Sequence, residues 1–149
     1  MPRAPKRGTV LAFDFGTRRI GVAVGEHATG IAHPLATIDS EKNAERFAAI
    51  AALVDEWRPA LLLVGLPTHA DRTEHGMTAR ARRFARQLEG RFGIEVALAD
   101  ERYTTQDATA ALSAMGIRAR EQRPVRDRVA AQLILQAYLD QHESPQRLA

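Results

Sequence analysis

The sequence predicts a single α/β domain, built on a mixed β-sheet with helices packed against it. Three short apolar runs follow one another in the N-terminal third, and strand and helix patterns then alternate along the 149 residues, without an internal repeat or a low-complexity linker. A meander followed by strand–helix–strand units gives a sheet that is antiparallel on one side and parallel on the other. We therefore expect one domain over residues 1–149, with flexible tails at 1–7 and 142–149.

The first three predicted strands form the antiparallel part of the sheet. Apolar residues at 10–15 indicate a strand that ends at Gly16, and a second apolar run at 20–24 follows after three polar residues, as in a hairpin. Residues 30–39 predict a weaker third strand. Pro34 places this strand at an edge, because proline cannot donate a hydrogen bond to a neighbouring strand.

The rest of the chain alternates between helix and strand, which adds two strands parallel to the first. The assignments rest on apolar residues at helical spacing, on short buried apolar runs, and on glycines that end them. We expect a five-stranded mixed sheet, with three antiparallel strands and two parallel ones, flanked by about four helices. These later elements are a helix at 43–56, a strand at 60–64, a helix with an apolar face on Met77, Ala81, Phe84 and Leu88, a strand at 94–101, a helix from Thr104 or Thr105 to Gly116, and a last helix at 127–141.

Composition limits the classes of function. There is no cysteine, so disulfides, thiolate catalysis and cysteine-based zinc sites are excluded. No apolar run is long enough to cross a bilayer and no signal peptide is recognisable, so we expect a cytoplasmic protein without a membrane partner. The net charge is only +3, but the pI is about 9.9 and the arginines are clustered, which favours a polyanionic partner such as nucleic acid.

Asp14 is a carboxylate within an apolar strand, and it raises the question of what compensates its charge. In the predicted sheet, strands one, four and five end at the same edge, where open α/β sheets usually place their sites. Asp14 lies near the end of strand one, Asp100 and Glu101 end strand five, and Asp127 begins the last helix, which can pack back toward strand one. Three acidic groups from distant parts of the chain are therefore expected to meet.

Clustered carboxylates repel one another unless a cation lies between them. Oxygen ligands without cysteine suit Mg²⁺ or Mn²⁺, and one or two such ions can support phosphodiester cleavage. We predict Asp14, Glu101 and Asp127 as catalytic and metal-binding residues, with Asp100 as an alternative because a one-residue change in register exchanges the two faces of a strand. Other interpretations stay open: Asp14 can accept hydrogen bonds from the following turn, Glu101 can pair with Arg102, and Asp127 can cap its helix.

Arginines surround the predicted acidic site. A run rich in arginine and poor in apolar residues precedes the last helix around Pro124, and it predicts a mobile loop that grips phosphates. Two further arginines follow Asp14 in the hairpin turn, whereas those of the second helix, such as Arg80 and Arg83, are more typical of a solvated face. The residues assigned to nucleic-acid binding are Arg18, Arg19, Arg102, Arg118, Arg120, Arg123 and Arg126.

Four blocks of the sequence carry a resemblance to a known family. "LAFDFGTRRIGVAVG", "LLLVGLP…DRTE…TARARRFA", "DERYTT" and "DRVAAQLILQAYL" resemble the YqgF family, also called RuvX, from about residue 8 to residue 141. The resemblance implies a ribonuclease-H-like fold and an acidic site made of Asp14, Glu101 and Asp127. Family members usually have Asp-Gly-Thr-Glu in the loop after strand four, whereas this chain has Arg72 in place of the glycine, so the loop's shape can differ here.

The resemblance implies an Mg²⁺- or Mn²⁺-dependent endonuclease that processes the 5′ end of pre-16S ribosomal RNA. The alternatives are a Holliday-junction resolvase that acts on branched DNA and a non-catalytic nucleic-acid-binding module. The run "DFGTRR" is also similar to the phosphate-binding turn of sugar kinases, actin and Hsp70, but one domain cannot form their two-domain ATP cleft. The sequence leaves open RNA or DNA as substrate, one or two metals, and a monomer or a homodimer.

Overall fold

The computed structural model describes residues 8–66, 75–100 and 119–148, with side chains described for residues 8–66, 76–99 and 125–141. This part of the chain contains five strands and three helices. The fourth helix expected from the sequence, which ends at Gly116, lies outside the described residues. The elements are β1 (Thr9–Phe15), β2 (Arg19–Glu26), β3 (Ile31–Asp39), α1 (Asn43–Trp57), β4 (Leu61–Leu66), α2 (His75–Phe92), β5 (Val96–Asp100) and α3 (Ala119–Leu148).

The strands form one mixed sheet in the order β3-β2-β1-β4-β5. β2 pairs antiparallel with both β1 and β3, whereas β4 pairs parallel with both β1 and β5. This confirms the predicted arrangement of three antiparallel and two parallel strands. β1 is central, and the ends of β1, β4 and β5 lie at one edge of the sheet, as their parallel registers require.

Helices cover both faces of the sheet, which explains why β1 is apolar nearly throughout. Leu11 and Phe13 pack with α1 and α2 on one face, while Val10 and Ala12 pack with α3 on the other. On the first face, the ring of Phe84 in α2 lies edge-to-face on Phe13, with ring centroids 5.9 Å apart. Alternate residues of β1 therefore belong to two separate parts of the core.

α3 lies along β1, β2 and β3 on the second face. Its apolar stripe is buried at Ile134, Leu135 and Leu139. Gly25 of β2 lets this stripe approach the sheet, because a Cβ there would lie only 3.0 Å from side-chain carbons of both leucines. α3 also reaches the outer edge of the sheet, where the Gln136 amide oxygen accepts a hydrogen bond from the Ala32 N–H at 2.9 Å.

Two further bonds from α3 complete this contact with the edge strand. The Gln136 amide nitrogen donates to the Gly30 carbonyl at 2.8 Å, and the Gln132 amide nitrogen donates to the Ala32 carbonyl at 3.0 Å. The edge position predicted for β3 from Pro34 is thus confirmed, and glutamine side chains occupy part of its outer backbone.

The sequence-based prediction for α3 is wrong at both ends. The helix was expected over 127–141, after a mobile loop, but it begins at Ala119 and continues to Leu148. The prediction began the helix only after Pro124, because an interior proline removes one backbone hydrogen bond and crowds the preceding turn at a cost of about 3 kcal/mol. The helix nevertheless continues through Pro124. Among the described residues, no helix combines the length and apolar character needed to cross a membrane.

Candidate functional site

Asp14 lies on the face of the sheet that α3 covers. It continues the row of Val10 and Ala12 along β1 and is partly buried. In the sheet register its neighbours are Gly21 on β2 and Gly65 on β4. Neither neighbour has a side chain, so no side chain of β2 or β4 lies directly beside the carboxylate within the sheet.

Asp127 of α3 meets the sheet beside Asp14. A Cβ added to Gly21 would lie 1.9 Å from the Asp127 carbonyl oxygen and 3.0 Å from the Arg128 nitrogen, so the helix backbone rests directly on this glycine. Since Gly21 is the register partner of Asp14, the backbone of Asp127 lies over the strand next to Asp14. The meeting of the two carboxylates stays a prediction.

Asp127 does not cap its helix, as one interpretation of the sequence proposed, because α3 begins eight residues earlier at Ala119. Its carboxylate is instead paired with an arginine. The Arg19 Nε–H donates to Asp127 Oδ2 at 2.6 Å, and the two side chains are only 22% and 17% exposed. Arg19, which was predicted as a phosphate contact, lies against an acid of the site.

The neighbouring arginine has a different environment. Arg18 is 76% exposed, and its Nε lies 3.9 Å from a carboxylate oxygen of Glu41, which is also well exposed. Such an exposed pair is weak and screened by salt. Arg18 therefore keeps a guanidinium available to solvent at the turn that follows Asp14.

Arg46 of α1 supports the same turn, and the sequence analysis missed it. Its side chain is buried, with 4% exposure, and its Nη2 donates to the Gly16 carbonyl at 2.7 Å. Its Nε donates to the Ser40 carbonyl, and its guanidinium lies 5.5 Å from the ring centre of Phe15. Burial lowers the pKa of Arg46, and the nearby Glu41 partly opposes this effect.

A signal for Arg46 was present in the sequence. It lies beside Phe47 and four residues before Ile50, so helical spacing places a charged side chain at the border of an apolar face. A buried arginine needs carbonyl or carboxylate partners, and here two backbone carbonyls supply them. Its effect is to hold the backbone immediately after Asp14.

Several predicted site residues cannot be placed. Glu101, Arg102 and Arg118 lie outside the described residues, as does the loop with Arg72. The side chains of Asp100, Arg120 and Arg123 are also outside the described part, although Arg120 and Arg123 are in the helical backbone of α3 rather than in the expected loop. The side chain of Arg126 is described and is partly buried.

The described side chains include no group of three histidine, cysteine, aspartate or glutamate residues that could hold a metal. They do include two carboxylates, Asp14 and Asp127, on one face of the sheet. A donor set of carboxylate oxygens fits a hard cation such as Mg²⁺ or Mn²⁺ and does not favour a softer metal. The third predicted acid, Glu101, remains a prediction.

Similar proteins of known sequence match nearly the whole chain. A protein from Methylobacillus flagellatus, named "Putative pre-16S rRNA nuclease", is 56% identical over 139 residues, which cover 93% of this chain and 95% of the relative. A protein of the same name from Nitrosomonas europaea is 60% identical over 133 residues, which cover 89% and 90% of the two chains.

Solved structures show the same fold at low sequence identity. The Thermus thermophilus RuvC structure matches with a TM-score of 0.56 and 14% identity, over 91% of this chain and 96% of that one. RuvC from the same organism in complex with Holliday junction substrate matches with a TM-score of 0.55 and 16% identity, over 89% and 93%. These similarities confirm the predicted ribonuclease-H-like fold.

The family model described as "RuvX: Holliday junction resolvase" matches residues 8–141. This range contains every strand of the sheet, Asp14, Asp127 and the arginines that contact the site. Together with the relatives that are more than half identical, it shows that this chain belongs to the RuvX family.

Proposed function

We propose that this protein is a nuclease that hydrolyses phosphodiester bonds in the 5′ region of pre-16S ribosomal RNA. The observation that supports the proposal is that the backbone of Asp127 rests on Gly21, the register partner of Asp14, so that two acids distant in sequence belong to the same region of the sheet. The relatives' name supplies the choice of substrate.

Asp14, Asp127 and Glu101 would hold the Mg²⁺ or Mn²⁺ of this site. Glu101 is the third ligand that the resemblance to the family implies, with Asp100 as the alternative. When bound, the cation supplies an activated water and charge neutralisation at the departing oxygen.

The chain's own residues bind and orient the backbone of the nucleic acid. Gly65 puts no side chain beside Asp14 on β4, and this is the side from which we expect a phosphate to approach the carboxylate. Arg18 extends into solvent at the end of the same hairpin and contacts a neighbouring phosphate. Arg46 restrains Gly16, and thereby the distance between Arg18 and the acids. Such contacts read charge and backbone shape more than base sequence.

Cleavage assays on purified variants test the proposal. Labelled pre-16S rRNA should be cut in Mg²⁺ or Mn²⁺, not in EDTA, and Asp14→Asn and Asp127→Asn should each lower the rate by at least about a hundredfold. Asp55→Asn is the matched control, because Asp55 is a well exposed acid on α1. Equal cleavage by wild type and Asp14→Asn, with both proteins folded, would refute the assigned site.

A second candidate is resolution of four-way DNA junctions, favoured by the description of the family model and by the fold shared with RuvC. The same assay distinguishes the two substrates when both are offered at equal phosphate concentration. A junction resolvase needs two active sites, so light scattering of the bound complex should then show a homodimer, whereas rRNA trimming requires only one. Binding without cleavage in any metal would favour a non-catalytic module. Action on pre-16S rRNA would place the protein in the cytoplasm.

A further inference from the structure

The Arg19–Asp127 pair lies where the proposed function needs a cation. Arg19 precedes Gly21 by two residues on β2, so both belong to the row of the strand that faces α3. The Arg19 Nε–H donates to Asp127 Oδ2 at 2.6 Å, and both side chains are mostly buried. A charge-assisted hydrogen bond of this length in a partly dry environment is strong.

This bond is not needed to place Asp127. The backbone of residue 127 already rests on Gly21, because an added Cβ would meet its carbonyl oxygen at 1.9 Å and its carbonyl carbon at 2.3 Å. α3 is further anchored by its buried stripe, including Ile134 and Leu135. What Arg19 adds is positive charge beside the carboxylate of Asp127, which would otherwise be mostly buried without this counter-charge.

From these contacts we infer that Arg19 is the resident counter-ion of the acidic site and competes with a divalent cation for the carboxylate of Asp127. The inference rests on the proposed metal-dependent function. When the metal binds, Asp127 exchanges its bond to the Arg19 Nε–H for the metal. The guanidinium is then released at the start of β2, next to the exposed Arg18, where two arginines can contact a phosphate.

Competition and structural damage predict opposite changes in Mn²⁺ affinity when Arg19 is replaced. Replacing Arg19 with methionine removes the competitor, so Arg19→Met should bind Mn²⁺ about three- to tenfold more tightly than wild type in calorimetric titrations. A residue that only supported the site would, when removed, weaken Mn²⁺ binding. Arg18→Met is the matched control, because it removes the same charge from the adjacent residue without a contact to Asp127, and its Mn²⁺ affinity should stay within about twofold of wild type.

Wild-type protein offers a second test that does not depend on a variant's folding. The Nε–H signal of Arg19, identified by its absence in Arg19→Met, should shift or broaden in ¹⁵N NMR spectra as Mg²⁺ is added, while that of Arg18 stays in place. Thermal unfolding adds a third measurement: Mn²⁺ should raise the melting temperature of Arg19→Met by more than that of wild type.

The outcomes separate the two proposals. If wild type binds Mn²⁺ but Arg19→Met binds it equally or more weakly, the competition is disproved and the proposed nuclease site is unaffected. If Arg18→Met tightens binding as much as Arg19→Met, the effect is one of general charge, and the specific role of Arg19 is disproved. If neither wild type nor Arg19→Met binds Mn²⁺, the metal-dependent function fails, and the inference fails with it.

Discussion

The contact between Gly21 and Asp127 predicts a severe effect of adding one methyl group. In Gly21→Ala the new Cβ would lie 1.9 Å from the Asp127 carbonyl oxygen, and the nearest atoms are backbone, which cannot rotate away. Restoring a contact of 3.4 Å requires α3 to retreat by about 1.5 Å. Overpacking of this kind costs about 1–3 kcal/mol, and the backbone clash places Gly21→Ala near 3 kcal/mol, which is about 6–12 °C in melting temperature for a domain of this size.

Urea and thermal unfolding measure this cost, and Gly90→Ala is the matched control. Gly90 lies in α2 with nothing within 4 Å of its added Cβ, so alanine there should stabilise the helix by about 0.5–1 kcal/mol. Adding one methyl group thus lowers the free energy of unfolding at Gly21 and raises it at Gly90. If Gly21→Ala unfolds at the wild-type temperature, or Gly90→Ala is the more damaging change, the described approach of α3 to β2 is wrong.

Arg46, Gln136 and Tyr138 give three further predictions. Arg46→Met should cost about 2 kcal/mol in the free energy of unfolding, because it leaves the Gly16 carbonyl without its donor. Gln136→Ala should cost about 1 kcal/mol, because it removes the hydrogen bonds to the Ala32 N–H in β3 and to the Gly30 carbonyl just before it. Burial, with a smaller contribution from Glu95, raises the pKa of Tyr138 above its ordinary value of 10.0, so the folded state should lose stability as pH rises from about 10 through the raised pKa.

Each of these has a control and a contradicting result. Exposed positions provide the controls for the first two, Arg86→Met on α2 and Gln141→Ala on α3, which should change unfolding by less than about 0.5 kcal/mol. Equal effects at buried and exposed positions would contradict the assigned bonds. For the phenol, ultraviolet absorbance should show Tyr138 ionising late, and Tyr138→Phe should flatten the alkaline loss of stability; an unchanged slope argues against the raised pKa.

The sheet and the position of Asp14 could be predicted because both depend on local patterns. Short apolar runs and their order predict the topology. An acid inside such a run is conspicuous because aspartate is rarely buried without a partner. The placement of Asp127 was predictable only in outline. The sequence does not show that the backbone of α3 approaches Gly21 too closely for a side chain to fit there.

Other parts depend on contacts distant in sequence or on a balance of energies. The partner of Arg19 lies 108 residues away, so no local pattern distinguishes Arg19 from the exposed Arg18 beside it. To predict the length of α3, the cost of Pro124 inside the helix must be compared with the packing of the helix along three strands. The sequence shows the proline but not the packing. The burial of Arg46 was not predicted, because charged residues are normally assigned to the solvent-exposed surface.

The glutamines of α3 also limit association between molecules of this protein. An outer strand offers donors and acceptors to any extended chain that meets it, which is a common route to aggregation. In this protein Gln132 and Gln136 already satisfy the backbone of Ala32, so an incoming chain would have to displace them. Concentrated solutions of the wild-type protein should therefore resist sheet-to-sheet polymerisation at this edge, and loss of both amides would open it.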